Sequence, residues 1–342
     1  MYDYFIIGQG LAGSIMAMRL LNDRKKILVF DSLEANTSSR IAAGIFNPIS
    51  GKRFSTAWKA SECFSEVTKF YTEMENLLEE RFFHPLPICR IIPDAGSSND
   101  WISRANEPHN SLFVNQVLDD LDNFDTPYGA IELALGGYLD TNAFIDAIRK
   151  LLLQHELLVE MTAIPKFQGA WTEIDGNRSQ AVIYCNGLGA QFTDPFNTIP
   201  FTPMKGEVLR IKAPDLSRDQ IVTGGCFICP SDNDSFLVGA TYNWRDPSLS
   251  KTSEAKTELL KRLDKIIKVP YTVIGHQVGI RPSVKDRKPI IGSHPIFPDC
   301  HILGGLGSKG VSTAPYLSKL LYEYLENGGD IPSEVDLKRF LG

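Results

Sequence analysis

Three glycines and one acid are the first residues in this chain whose types and spacing suggest chemistry. Gly8-Gln9-Gly10-Leu11-Ala12-Gly13 has the GxGxxG spacing, and Asp31 follows about twenty residues beyond the second glycine. Such a set handles a pyrophosphate. Gly8 makes the turn, Gly10 lets phosphates approach the backbone, and Gly13 lets a helix pack closely on a strand. The helix start offers the N–H groups of Leu11 and Ala12 and the positive end of a dipole, while Asp31 accepts hydrogen bonds from a ribose. A second glycine cluster, Gly304-Gly305-Leu306-Gly307-Ser308-Lys309-Gly310, lies near the other end of the chain. Gly187 and Gly189 form a third, closing an apolar run from Gln180 to Cys185.

The elements needed to position these residues are legible around them. Tyr4-Phe5-Ile6-Ile7 reads as a short buried strand, and Leu11, Ile15, Met18 and Leu21 recur on one helix face that ends at Asn22-Asp23. Ile27-Leu28-Val29-Phe30 is a second strand ending on Asp31. Strand, motif, helix, strand and acid in this order specify a dinucleotide unit, which a glycine-rich turn alone does not. His301-Ile302-Leu303 likewise enters the second turn as a strand. Leu317, Leu320, Leu321, Tyr324 and Leu325 then mark a helix face that Gly328-Gly329 ends.

Two such turns at opposite ends of a chain cannot share one βαβ unit, so the nucleotide fold is assembled from both ends. FAD is long enough to need both. Its ADP half rests on the first turn, and Gly305, Gly307, Ser308, Lys309 and Gly310 face the flavin edge where negative charge accumulates on reduction. The alternative for the second turn is one that merely closes a domain. The strand ending at Gly187 adds a third piece to the nucleotide sheet.

Composition narrows the class. A chain of 342 residues, 43% hydrophobic and 22% charged, has the balance of a folded protein with about two domains. Lys+Arg 35 against Asp+Glu 41 gives a net charge of −6, which disfavours nucleic acid and anionic membranes as partners. Six scattered cysteines suggest no disulfide framework and fit a cytoplasmic location. Asp3 and the early stop at Gly8 argue against an export signal, and no apolar run reaches the roughly 18 residues of a membrane span. The six histidines show no metal-ligand spacing, so no metal site is expected. Cys226-Phe227-Ile228-Cys229 has CxxC spacing but lies on an apolar, strand-like run without a second pair. His294 reads as a satisfied structural histidine or a pocket residue, and Tyr242 and Trp244 as pocket walls or packing.

Further segments sharpen the pattern. They are Ser38-Ser39-Arg40-Ile41-Ala42-Ala43-Gly44; Gly137-Tyr138-Leu139-Asp140; Met204-Lys205-Gly206-Glu207-Val208; Phe227-Ile228-Cys229-Pro230 followed by Leu237-Val238-Gly239-Ala240-Thr241; and Gly279-Ile280-Arg281-Pro282 running on through Asp286 and Pro289 to Gly292. With the glycine turns, they make most of the chain resemble the D-amino-acid oxidase, glycine oxidase and sarcosine oxidase superfamily of FAD enzymes. The segment beginning at Gly279 is the most specific of the set.

The resemblance implies that Ser38, Arg40, Ala43 and Gly44 lie in the loop over the isoalloxazine ring and that Arg281 holds a substrate carboxylate. A planar guanidinium suits that task through two parallel hydrogen bonds. The alternative is a structural pair between Arg281 and Asp286. Phe227 stands where several relatives carry a tyrosine, so a hydroxyl that would reach the carboxylate is missing. Gly279-Ile280-Arg281 lacks the cysteine through which sarcosine-oxidase-like members attach flavin, which implies non-covalent FAD. Gly44 to Arg53 also resembles the flavin domain of the bifunctional enzyme that matures a modified wobble uridine in tRNA. Lys52 and Arg53 would there meet an anionic substrate, or else lie in a solvated loop.

The expected fold is α/β: a two-dinucleotide-binding, Rossmann-like FAD domain from 1–80, 140–200 and 275–342, interleaved with an antiparallel-sheet α+β substrate domain from 81–139 and 201–274. The turn-rich stretch Pro93 to Pro108 and the alternations Val208, Arg210 and Phe236, Val238 suggest that sheet. The expected reaction is hydride transfer from the α-carbon of a small amine or amino acid to flavin N5. A flavin-dependent tRNA-modifying oxidase and a non-catalytic FAD-binding protein are the alternatives.

Overall fold

A computed structural model describes residues 1–34, 37–169, 171–232 and 234–341. Tyr2–Ile7 forms a strand whose Phe5 and Ile6 are fully buried. Burial of that kind contributes roughly 1.5–3 kcal/mol for each such side chain. The strand pairs in parallel with Ile27–Asp31 on one side and Asn177–Tyr184 on the other. Leu158–Glu160 extends the sheet beyond Ile27–Asp31, and Cys300–Gly304 extends it beyond Asn177–Tyr184, again in parallel. Taken in chain order, these five parallel strands lie 3-2-1-4-5 across the sheet. The order reverses between Tyr2–Ile7 and Asn177–Tyr184, and a crevice beyond the carboxyl ends of such strands is where α/β sheets bind dinucleotides. Both chain ends therefore meet in one sheet.

A second sheet runs Thr272–Arg281, Met204–Lys212, Ser235–Gly239, Phe227–Ser231, Ile221–Thr223, Ile88–Ile91, Ala130–Leu133 and Val114–Leu118. Its pairings are antiparallel except between Ile221–Thr223 and Ile88–Ile91, which run parallel. Two details differ from the sequence expectation. The stretch from Pro93 to Pro108 is mainly helical: Ala95–Ala105 forms a helix, and the Asp94 carboxylate caps it by accepting the Ser97 N–H at 2.7 Å. Thr272–Arg281 pairs along its length with Met204–Lys212, so the sheet runs past position 274 to Arg281.

The helices Leu11–Asn22 and Gly310–Asn327 pack together against the parallel sheet and Ala60–Leu78 packs on Gly310–Asn327, in a core that includes Ile15, Met16, Val67, Tyr71 and Leu317. A second core lies between the other sheet and the helix Ser253–Leu263. Cys226 belongs to this second core and Cys229 to the first, so the CxxC pair points into two different interiors. Burial raises the Cys226 thiol to about 12 and pushes Cys229 higher still. Neither is a thiolate poised for metal or redox chemistry.

His301 is buried in the strand Cys300–Gly304, with Nδ1 2.8 Å from Ser293 Oγ. Burial lowers its pKa to about 4. The folded value lies below the unfolded one of about 6.5, so the unfolded chain binds more protons between those limits. Stability is therefore full above about pH 6.5 and declines as pH falls towards 4. His301→Gln should flatten the unfolding free energy between pH 6.5 and 4.5 by about 2 kcal/mol. Denaturant melts across that range test this, and identical slopes would discard it. His84 and His294 are shifted in the same direction by burial and leave a residual slope.

Candidate functional site

The site is built at the switch point. Gly10 caps the helix Leu11–Asn22, which has no acid in its first turn. Leu11 N–H donates to Ser39 Oγ at 3.2 Å, while the N–H groups of Ala12 and Gly13 find no acceptor among the described residues. The helix Gly310–Asn327 also starts without an acid, and the N–H groups of Gly310, Val311 and Ser312 have no acceptor there either. Free donors at the positive end of a helix suit an anion or an electron-rich ring edge. The two helix starts are neighbours, for a Cβ on Gly310 would lie 3.1 Å from Leu11 Cδ2. Two adjacent sets of free donors fit FAD, a cofactor that has both a pyrophosphate and an electron-accepting ring.

Asp31 ends its strand beside the first turn. Its carboxylate accepts the Gln9 N–H at 3.0 Å and an Arg149 N–H at 3.3 Å, and has lone pairs left for a ribose. A groove of about 470 Å³ opens there, lined by Gly10, Asp31, Arg40, Asn142, Arg149 and Gln277 among others. Arg40 is tied to the neighbouring helix by Asp146 at 2.7 Å. Ser39, more than Ser38, reaches the glycine turn; Ser38 makes no side-chain hydrogen bond among the described residues. Ala43 and Gly44 lie between the Cys229 thiol, 3.9 Å from Ala43 O, and Leu139, whose N–H donates to Gly44 O. Gly44 adopts a left-handed φ of 67°, and a Cβ there would fall 1.9 Å from Leu139 O.

The segment Gly279–Ser283 is the hub of the site. Gly279 packs on Ile41, Pro282 O accepts the Gly307 N–H at 3.2 Å, Gly307 approaches Ser283 Oγ and Gly187 faces the Pro282 ring. Three stretches of chain thus converge on the segment that carries Arg281. Its guanidinium lies against Gly206, donates to Thr241 O at 3.3 Å and stacks 4.7 Å from the Tyr242 ring centre. No carboxylate among the described residues lies within ion-pair reach of it. Burial lowers its pKa from the usual arginine value. Asp286, the alternative partner, pairs with Arg339 at 2.8 Å. Ser308 and Lys309 are exposed beside the second turn.

His294 is structural: buried, its Nδ1 accepts the N–H groups of Ile296 and Phe297 at 3.2 and 3.3 Å. Among the described residues no cluster of His, Cys, Asp and Glu could hold a metal. No helix there is long and apolar enough to cross a membrane.

Gln9 and Arg149 carried no sequence signal. Gln9 is buried and donates to Ser14 Oγ and Ile145 O, while Arg149 donates to Gln9 Oε1 at 2.9 Å and to Glu160 Oε1 at 2.7 Å. Arg149 holds Asp31 in place from a helix more than a hundred residues away in sequence. Its removal leaves two carboxylates without their partner, so Arg149→Met should weaken FAD binding about tenfold. Titration of apoprotein with FAD, followed by flavin fluorescence, checks this; an unchanged Kd would exclude the role.

A parallel sheet with a switch-point crevice, a second glycine turn facing it and an antiparallel sheet alongside define a flavin-dependent oxidoreductase. Residues 3–324 match the FAD dependent oxidoreductase family, DAO, and the chain belongs to that family. It is 23% identical, over 93% of its length, to the tRNA 5-methylaminomethyl-2-thiouridine biosynthesis bifunctional protein MnmC of Idiomarina loihiensis. The match covers 55% of that protein, so the chain spans about half the length of such curated relatives. Glycine oxidase from Bacillus cereus ATCC 14579 superposes with a TM-score of 0.81 at 15% identity, covering 96% of each chain. Iminodiacetate oxidase from Chelativorans sp. BNC1 gives 0.77 at 18% identity, covering 99% of this chain and 98% of the other. These two likenesses show the fold.

Proposed function

We propose that this oxidoreductase acts on a small amine or amino acid bearing a carboxylate, with FAD held non-covalently. The observation that carries the reading is Arg281, a partly buried guanidinium with no carboxylate of its own among the described residues, next in sequence to Pro282, whose carbonyl accepts the Gly307 N–H of the second glycine turn. FAD, when bound, would supply the two-electron acceptor for an amine that gives up its α-hydrogen as hydride while the nitrogen lone pair closes to C=N. Arg281 binds the carboxylate and aims the α-carbon. The free N–H groups at Gly310, Val311 and Ser312 favour negative charge at the ring edge. A neutral amine needs no strong base once oriented, and the imine product hydrolyses in water. Structures named glycine oxidase and iminodiacetate oxidase share the fold, which supports a carboxylate-bearing amine.

The test is anaerobic reduction of the FAD-loaded protein by glycine, sarcosine, proline and D-amino acids. Bleaching of the flavin band by at least one is expected, and a band unmoved by every amine would remove the reading.

A second reading, oxidation of an amine on a tRNA wobble uridine, is favoured by the curated relatives and by one loop. Lys52 and Arg53 are exposed on a loop held from behind by Arg90, which donates to Ile49 O and Gly51 O, and by Trp101, which donates to Lys52 O. Bleaching only by carboxymethylaminomethyl-uridine in RNA would select this reading. The net charge of −6 weighs against it.

A further inference from the structure

Beyond Arg281 the chain builds a row of flat groups leading outwards. The Arg281 guanidinium lies 4.7 Å from the Tyr242 ring centre, the Tyr242 and Trp244 rings are stacked 6.3 Å apart at 23°, and the Arg287 guanidinium lies 5.7 Å from the Trp244 ring. Tyr242 and Trp244 are each 53% exposed. Single exposed aromatics are ordinary on a protein surface. These two differ in being fixed. Asn243, between them, exchanges two backbone hydrogen bonds with Lys205. The fully buried Lys205 reaches forward to Asp246 at 2.6 Å, and buried Glu207 accepts from both the N–H and the hydroxyl of Thr252. A pair of buried charges thus anchors the loop that carries two solvent-facing rings.

We propose that Tyr242 and Trp244 are specificity-determining residues, a shelf that takes a planar aromatic group carried on the amine whose carboxylate Arg281 holds. The proposal rests on the carboxylate-amine reading above and adds the class of substituent. A shelf already held in place loses little conformational entropy when a ring settles on it, and rings gain from stacking beyond the area they cover. The two arginines polarise the ring faces and favour an electron-rich ligand ring.

Isothermal titration of the FAD-loaded protein with phenylacetate and cyclohexylacetate tests the shelf without turnover, since the two acids differ in having a flat or a puckered ring. Phenylacetate is expected to bind roughly five- to tenfold more tightly. Trp244→Leu, which keeps apolar bulk, should erase that preference. Equal affinities in the unaltered protein, no binding of phenylacetate, or a preference that survives Trp244→Leu would each overturn the shelf. Arg281→Met reads the clamp separately: it weakens both acids alike if Arg281 holds the carboxylate, and unchanged affinities there sink the clamp but leave the ring preference as the measure of the shelf. In anaerobic flavin reduction, Trp244→Leu should lower kcat/KM for N-benzylglycine about tenfold and leave sarcosine within twofold.

Discussion

Replacing Arg281 by methionine is expected to lower kcat/KM for a carboxylate-bearing amine by about thirty- to several thousand-fold. A buried, hydrogen-bonded charge pair that loses one partner costs about 2–5 kcal/mol, much of it from the carboxylate left unpaired. The loss should fall on substrates with a carboxylate and spare an amine without one, which separates a clamp from a general disturbance of the flavin. Folding should survive the change. Among the described residues the Arg281 guanidinium makes one hydrogen bond, to Thr241 O, and stacks on Tyr242, so little native structure depends on its charge. Removing a desolvated cation can even be stabilising. Gly206→Ala provides a second probe, because a Cβ there would stand 2.3–2.5 Å from the guanidinium atoms and force the side chain aside while keeping its charge. An unchanged KM for an acid substrate in Arg281→Met would remove Arg281 from the role.

The part of this design legible in the sequence is the part encoded over short spans. The glycine turns, their flanking strands and helices, and Asp31 follow from local periodicity and spacing, and they occupy the predicted positions. The helix Ala95–Ala105 was hidden because Gly96, Ser97 and Ser98 read as a turn. It is held by the Asp94 cap and by burial of Trp101 and Ala105, neither of which propensity alone reports. The expected boundary at 274 falls inside Thr272–Arg281, which only its pairing with Met204–Lys212 shows as one strand. Gln9 and Arg149 were invisible for a different reason. An arginine on a helix has no spacing signature, and its link to Asp31 exists only once the helix Thr141–Gln154 has docked. Arg281 rests on a family resemblance, and the structure adds that Asp286, the acid weighed as its partner, pairs with Arg339.

Gly13→Ala should both destabilise the protein and release FAD. A Cβ at this position would fall 1.8 Å from Gly8 O and 3.3 Å from Cys185 Cβ, and the first neighbour is backbone that cannot rotate away. The helix Leu11–Asn22 must then lift from the sheet. Overpacking against side chains costs about 1–3 kcal/mol, and a clash with backbone belongs at the upper end or beyond. In a chain of this size that corresponds to a fall in Tm of several degrees. The same displacement moves the Ala12 and Gly13 N–H groups, which no other described residue engages, away from the pyrophosphate. FAD affinity should therefore drop by more than tenfold even at temperatures where the variant stays folded. Gly96→Ala is the matched control, since its Cβ meets only Asp94 Oδ1 at 3.4 Å in the first turn of a helix, where alanine is the better residue. Thermal melts and FAD titrations of both variants decide the matter: a Gly13→Ala protein that melts and binds FAD like Gly96→Ala would show that close helix–strand contact does not hold the nucleotide site.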